Sequence, residues 1–167
     1  MKKSKLLLVA MLILPWLTVP LLGKNTLKKY WPASIFISVF TKYLDVFGER
    51  NRWWKFYKGI WPFNSMDFLN LGPYLVSSLW MLKATYGKFF LYLVANTLLH
   101  ILFIFIGLNY LKQIKILSLV NLTKIRYLFI HISRAILLYG FEYLKERAGT
   151  FMKKKNKFNN ENLQILK

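Results

Sequence analysis

Two histidines, an arginine and a few acids stand inside otherwise apolar stretches of this sequence, where titratable side chains are uncommon. Histidine titrates near neutral pH, so His100 and His131 could bind a metal ion or relay protons. However, no HExxH spacing supports a metal site, and the chain has no cysteine. Hydrogen bonding between helices is the simpler interpretation, and we predict no catalytic residue, no metal and no cofactor. The candidate polar residues are Asp45, Asn96, His100, His131, Arg134 and Glu142.

Long apolar runs carry these residues. The longest run, residues 89–111, would extend about 34 Å as a helix, which is enough to cross a bilayer core of about 30 Å. A helix this apolar has no polar face to show to water. We therefore predict an all-α, polytopic transmembrane helix bundle. It has about five membrane spans, at residues 6–22, 31–47, 67–82, 89–111 and 127–144.

Arg134 is the most informative of the polar residues. An arginine near the middle of a membrane costs about 2.5 to 3.5 kcal/mol on insertion scales, so it should find a partner. The partner could be Asp45 from another helix, Glu142 two turns along the same helix, or water and phosphate at the interface. We predict the Asp45–Arg134 contact, because their helical faces are neighbours and their depths roughly match.

The charge of the chain is segregated from its apolar residues. The 167 residues are 56% hydrophobic, yet the formal net charge is +19. Such a charge can indicate nucleic-acid binding, but most Lys and Arg lie at the ends of apolar runs, where they meet anionic phospholipid headgroups. We expect the lipid bilayer as the partner, with a homo-oligomer or a membrane-protein partner as a further association, and no nucleic acid. The basic tail resists translocation, so we place it in the cytoplasm.

Two connecting segments are expected at the membrane surface. Residues 48–66 mix aromatic and basic side chains, which is typical of an interfacial loop, with single-strand nucleic-acid binding by stacking as a distant alternative. Residues 113–123 are too short to cross and are read as interfacial or re-entrant. We divide the chain into a single bundle domain, residues 1–147, and a basic polar tail, residues 148–167, disordered or on the membrane surface. The predicted interfacial anchors are Trp53, Trp54, Lys55 and Trp61.

Aromatic and proline landmarks suggest a family. They are LPWL, KNTLKKYWP, a WWK loop followed by WP, LGPYLVSSLW, TYGKFFLYLVAN, VNLT and LLYGFEYLKE, over about residues 12–146. In these the chain resembles an uncharacterised family of small five-span integral membrane proteins of spore-forming Gram-positive bacteria. Similar proteins tend to carry an acidic residue near the position of His100. The resemblance implies a multi-pass protein of the bacterial plasma membrane and no particular activity.

Signatures of catalysis are missing from the sequence: there is no GxSxG, no phosphate-binding glycine loop and no cluster of carboxylates. We therefore expect a non-enzymatic assembly or accessory component that acts through helix packing and lipid contact. The alternative is a small transporter or channel component with a polar path past Asp45, His100, His131 and Arg134. A lipid-modifying enzyme comes third.

Overall fold

The computed structural model describes residues 2–57, 59–61 and 63–165, so two positions of the predicted interfacial loop and both chain ends lie outside it. The described chain is mostly helical, at 82%, and forms five helical rods. Two rods are built from a pair of α-helices joined through a π turn. The helices are α1 (Lys2–Leu17), α2 (Lys24–Arg50), α3 (Ser65–Leu69), α4 (Leu75–Thr85), α5 (Phe89–Leu102), α6 (Leu108–Gln113) and α7 (Lys124–Ile165).

Two rods are long and apolar enough to cross a membrane. They are Lys5–Leu22, with a mean hydropathy of 2.1, and Phe89–Gln113, with a mean hydropathy of 2.3. Only 17% and 22% of these windows are buried inside the molecule, whereas the core helix of a soluble protein would be mostly buried. The other predicted spans lie within helices that are shorter or more polar, so five spans are not supported by length and composition.

The rods lie close to the predicted spans, with clear differences at the start of α2 and at the end of α7. The second span is predicted at residues 31–47, but α2 already begins at Lys24 and holds Pro32 in its interior. The chain turns into α2 at Gly23, whose φ of +79° is the left-handed conformation that glycine adopts most easily. At the same end of the bundle, where Lys83 donates to the carbonyl oxygen of Leu21, α4 ends at Thr85, and Gly87 follows with a φ of +90°.

Each of the two π turns lies where another helix or an aromatic ring packs closely against a glycine of the turn. The first, Asn70–Tyr74, contains Pro73, which has no N–H to donate to the regular helical ladder. Its Gly72 lies against α1, where an added Cβ would come 2.3 Å from the carbonyl oxygen of Met11. The second, Phe103–Gly107, packs the Phe103 ring over Gly107. Both turns therefore sit where helices or rings approach closely.

Two connecting segments form a strand cap at one end of the bundle. Strand β1 (Trp54–Phe56) lies in the aromatic-basic loop, which also holds the short pair β2 (Gly59–Ile60) and β3 (Phe63–Asn64). Strand β4 (Leu117–Leu119) lies in the segment expected to be interfacial or re-entrant, and it pairs antiparallel with β1. Leu117 and Ser118 are buried in this arrangement, so the segment closes the bundle.

Beyond residue 148 the chain continues as helix through Ile165. Extending an existing helix adds one hydrogen bond per residue fixed, without the cost of nucleating a new helix. The first rod packs against the first π turn and buries Leu8 completely.

Candidate functional site

A cavity of about 430 Å³ lies between α2, the α3–α4 rod, the α5–α6 rod and α7. This volume is in the range of small-molecule pockets. Both π turns contribute to its wall, and such turns occur frequently at functional sites. We call it the polar cavity because its polar lining residues converge from separate rods. They are Thr41, Asp45, Asn70, Tyr74, Ser77, His100, Tyr127, His131 and Arg134.

The predicted contact between Asp45 and Arg134 is present. Nη2 of Arg134 donates to Oδ1 of Asp45 at 2.9 Å, joining α7 to α2. The side chains are 3% and 11% exposed, so the pair is shielded from water. Removing either partner would leave an uncompensated buried charge, which makes this contact a strong constraint on how the two helices pack.

The two histidines lie against each other beside this ion pair. The rings of His100 and His131 have centroids 4.5 Å apart and planes inclined by 40°. The Tyr127 ring packs edge-on against His131, at 4.5 Å and 89°, and Trp54 packs behind Tyr127 at 5.4 Å. The histidines are thus held in place by aromatic packing from α7 and the strand cap.

Several buried polar atoms of the cavity wall lack a hydrogen-bond partner within the described part of the chain. Neither ring nitrogen of His131 has one, although this residue is only 5% exposed. The same holds for Nε of Arg134 and Oδ1 of Asn70. Buried polar groups are satisfied in the great majority of cases, so each of these atoms calls for an explanation.

Along α5 and the second π turn, the cavity is lined by exposed apolar side chains. Leu99, Leu102 and Ile106 line it and are 41%, 59% and 65% exposed. We call these three residues the apolar mouth. A guest could pass here between the apolar surroundings of α5 and the polar groups inside.

Two of the six predicted polar residues lie away from the cavity. Asn96 is buried, and its amide donates to the carbonyl oxygen of Tyr92 on the same helix at 2.9 Å. Glu142 is fully buried two turns beyond Arg134 along α7, where Lys145 donates to its Oε2 at 2.6 Å. Glu142 is therefore not the partner of Arg134. No group of three or more metal-ligating side chains is found within the described residues.

The predicted interfacial anchors occupy different surroundings. Trp61 is 93% exposed and Lys55 is exposed, while Trp53 is half-buried. Trp54 is 1% exposed, and its indole N–H donates to the carbonyl oxygen of Asp45 at 3.0 Å. Its ring is covered by protein and lies directly on Gly48, which corrects the prediction of Trp54 as a lipid anchor.

The end of the bundle opposite the strand cap carries a second polar group, which we call the Glu146 cluster: Lys29, Tyr86 and Glu146. Tyr86 donates to Oε2 of Glu146 at 2.6 Å, and Lys29 lies 3.1 Å from Oε1. The hydrogen bond from Tyr86, and then that from Lys29, lower the pKa of Glu146. The cluster ties α2, the end of α4 and α7 together where the helices leave the bundle.

Helical spacing predicts part of this geometry and misses the rest. Thr41 and Asp45 lie one turn apart and therefore share a face of α2. Tyr127, His131 and Arg134 are spaced by four and three residues and therefore share a face of α7. Helical spacing does not predict the salt bridge between Lys42 on α2 and Asp67 on α3. Asp67 is the third residue of α3, and its side chain also accepts a hydrogen bond from the backbone N–H of Asn64, which completes a capping box.

Comparison with known proteins adds no relative to this description. No protein family, no curated protein and no solved structure matches the chain. The functional conclusion therefore rests on the geometry of the polar cavity.

Proposed function

We propose that the chain is a multi-pass integral protein of the bacterial plasma membrane, with five crossings and a cytoplasmic tail. The arrangement of the rods supports this: the strand cap gathers the connections at one end, and the Glu146 cluster gathers those at the other. Two rods have the length and apolarity to cross. The more polar rods turn Asp45, His131 and Arg134 inwards, as intramembrane charges do.

Within that membrane, we propose a non-enzymatic accessory role in which the protein holds a guest molecule taken from the lipid phase. One observation carries this: Asp45, His100, His131 and Arg134 all line one cavity with an apolar mouth. A site that joins buried polar groups to exposed leucine side chains suits a guest with a polar end and an apolar end. Anionic headgroups at the basic ends of the rods would hold the protein in the bilayer.

A cavity-blocking variant tests this role. Leu102→Trp places a large ring in the apolar mouth, and Leu98→Trp is its matched control, since Leu98 is 58% exposed on the same helix but does not line the cavity. The full chain would be extracted in a mild detergent and weighed by native mass spectrometry. We expect one bound lipid-sized molecule on the wild type and on Leu98→Trp, and none on Leu102→Trp. An empty wild-type protein, or equal occupancy in all three, would overturn the proposal.

A small carrier is the second candidate, favoured by the same convergence of four predicted residues on one cavity. Flux into liposomes separates the two roles. A pH-dependent flux that is lost in His100→Ala would support the carrier. Absence of flux, together with a stoichiometric membrane-protein partner or a second copy that co-purifies, would support the accessory role.

A further inference from the structure

We infer that the polar cavity selects lipids with an uncharged, hydrogen-bonding head group over lipids with an ionised one. This inference rests on the proposed role of the cavity in holding a guest, and it names the class of that guest. Hydroxyl lipids such as a diacylglycerol and carbonyl lipids such as a prenylquinone share the required chemistry: a neutral polar head on an apolar chain.

The charge of the cavity wall is already balanced. Asp45 and Arg134 carry opposite charges and are paired with each other at 2.9 Å. His100 and His131 have no acidic partner among the described residues, and we count both as neutral. An ionised head group would bring one uncompensated charge into a site that offers no counter-ion, and burying such a charge is strongly unfavourable.

The buried hydrogen-bonding atoms of the wall residues that lack a partner in the described part of the chain are of both kinds. A neutral imidazole has one donor nitrogen and one acceptor nitrogen, and both nitrogens of His131 lack partners. Nε of Arg134 is a further donor, and Oδ1 of Asn70 is a further acceptor. A hydroxyl could donate to the acceptors and accept from the donors, whereas a carbonyl could accept from the donors only, and neither group would add charge.

The shape of the cavity places the apolar chain of the guest. Its volume of about 430 Å³ suits a head group with the first part of a chain. Leu99, Leu102 and Ile106 form the mouth, so the rest of the chain would leave along the exposed apolar surface of α5. No other route needs to be assumed, because a lipid reaches this surface from within the bilayer.

Binding of four defined probes to the full chain in detergent tests the inference. The uncharged probes are dioleoylglycerol and a prenylquinone with two isoprene units, and the ionised probes are oleate at alkaline pH and oleoyl lysophosphatidate. We expect at least one uncharged probe to bind at least tenfold more tightly than both ionised probes, with the bound probe lost in Leu102→Trp and kept in Leu98→Trp. The two uncharged probes distinguish a hydroxyl head from a carbonyl head.

A charge variant sharpens the test. Asp45→Asn removes the acid and leaves Arg134 with a net positive charge in the cavity, so binding of oleate should rise at least tenfold relative to dioleoylglycerol. Asp67→Asn is the matched control, because Asp67 pairs with Lys42 outside the cavity and should leave the preference unchanged. Where Asp45→Asn does not fold, the wild-type comparison decides alone.

The outcomes separate this inference from the role on which it rests. Equal or tighter binding of the ionised probes, sensitive to Leu102→Trp, would refute the preference for an uncharged head and keep the guest-binding role. Failure of all four probes on a wild type that co-purifies with another lipid would refute the head-group class. A wild type that binds nothing would refute both.

Discussion

At the scale of single residues, the ion pair of Asp45 and Arg134 is the contact from which the polar cavity is built. It joins two residues that are 89 positions apart in the chain, and it is almost fully shielded from water. A buried pair of this kind adds little net stability compared with an apolar pair, but breaking it is costly. Its effect is therefore mainly on which faces of α2 and α7 meet.

Exchanging the two charges tests that constraint. Asp45→Arg or Arg134→Asp alone should destabilise the protein by about 3–5 kcal/mol, because each leaves like charges facing each other in a buried site. The double exchange should recover most of the loss. Thermal unfolding in detergent and the yield of monodisperse protein measure this. A double variant no better than either single variant would contradict the pairing.

Gly48 makes a second sharp prediction at this scale. An added Cβ would lie 2.1 Å from the Trp54 ring, so Gly48→Ala must displace the ring that packs behind Tyr127. We expect a loss of about 1–3 kcal/mol, as for other overpacked sites. Gly140→Ala is the control, because nothing lies within 4 Å of its added Cβ. Unfolding midpoints compare the two, and a harmless Gly48→Ala would show that Trp54 is not held there.

At the scale of elements, the apolar runs predict where the rods lie, and the spacing of polar residues predicts which faces turn inwards. Two features were beyond that reasoning. The pairing of β1 with β4 joins residues more than sixty positions apart, and neither strand has an alternating pattern long enough to reveal its partner. The π turn at Phe103–Gly107 contains no proline that would predict it from the sequence. Regular helical spacing therefore gives the wrong facing direction for the side chains that follow this turn.

The Glu146 cluster makes the contact between α2, the end of α4 and α7 sensitive to acid, because the contact depends on an ionised carboxylate. The pKa of Glu146 is lowered from its ordinary 4.5 by the hydrogen bonds from Tyr86 and Lys29. A carboxylate with a lowered pKa stabilises the fold above its unfolded pKa, and this contribution is lost as the pH falls through the folded pKa. Since Glu146 is half exposed, water weakens the effect.

Acidification should therefore lower the unfolding temperature of the wild type between about pH 5 and pH 3 by more than it lowers that of Glu146→Gln. At neutral pH the wild type should be the more stable protein, and this advantage over Glu146→Gln should disappear in acid. Differential scanning fluorimetry of both proteins across this range provides the measurement. Parallel pH profiles would mean that the cluster contributes nothing to folding.

At the scale of the whole molecule, the proposed five crossings place the strand cap and the Glu146 cluster on opposite sides of the membrane. The chain has no cysteine, so single cysteines can report position without background. With an impermeant maleimide on intact cells, Lys55→Cys should react, while Ala84→Cys and Ala148→Cys should react only after the membrane is opened. All three positions are exposed in the structure. Labelling of Lys55→Cys together with Ala148→Cys from one side would contradict the three crossings proposed between these two positions.

The length of α7 has a mechanical consequence. At 1.5 Å per residue its 42 residues extend about 63 Å, and about 30 Å of this length separates Arg134 in the cavity wall from the exposed lysines at 153–155. No loop interrupts α7 between these two regions. A partner that binds the exposed lysines would therefore also constrain the angle at which the Arg134 guanidinium meets Asp45 on α2. In the proposed topology, a partner that rotates this exposed portion would therefore act on the ion pair between α2 and α7.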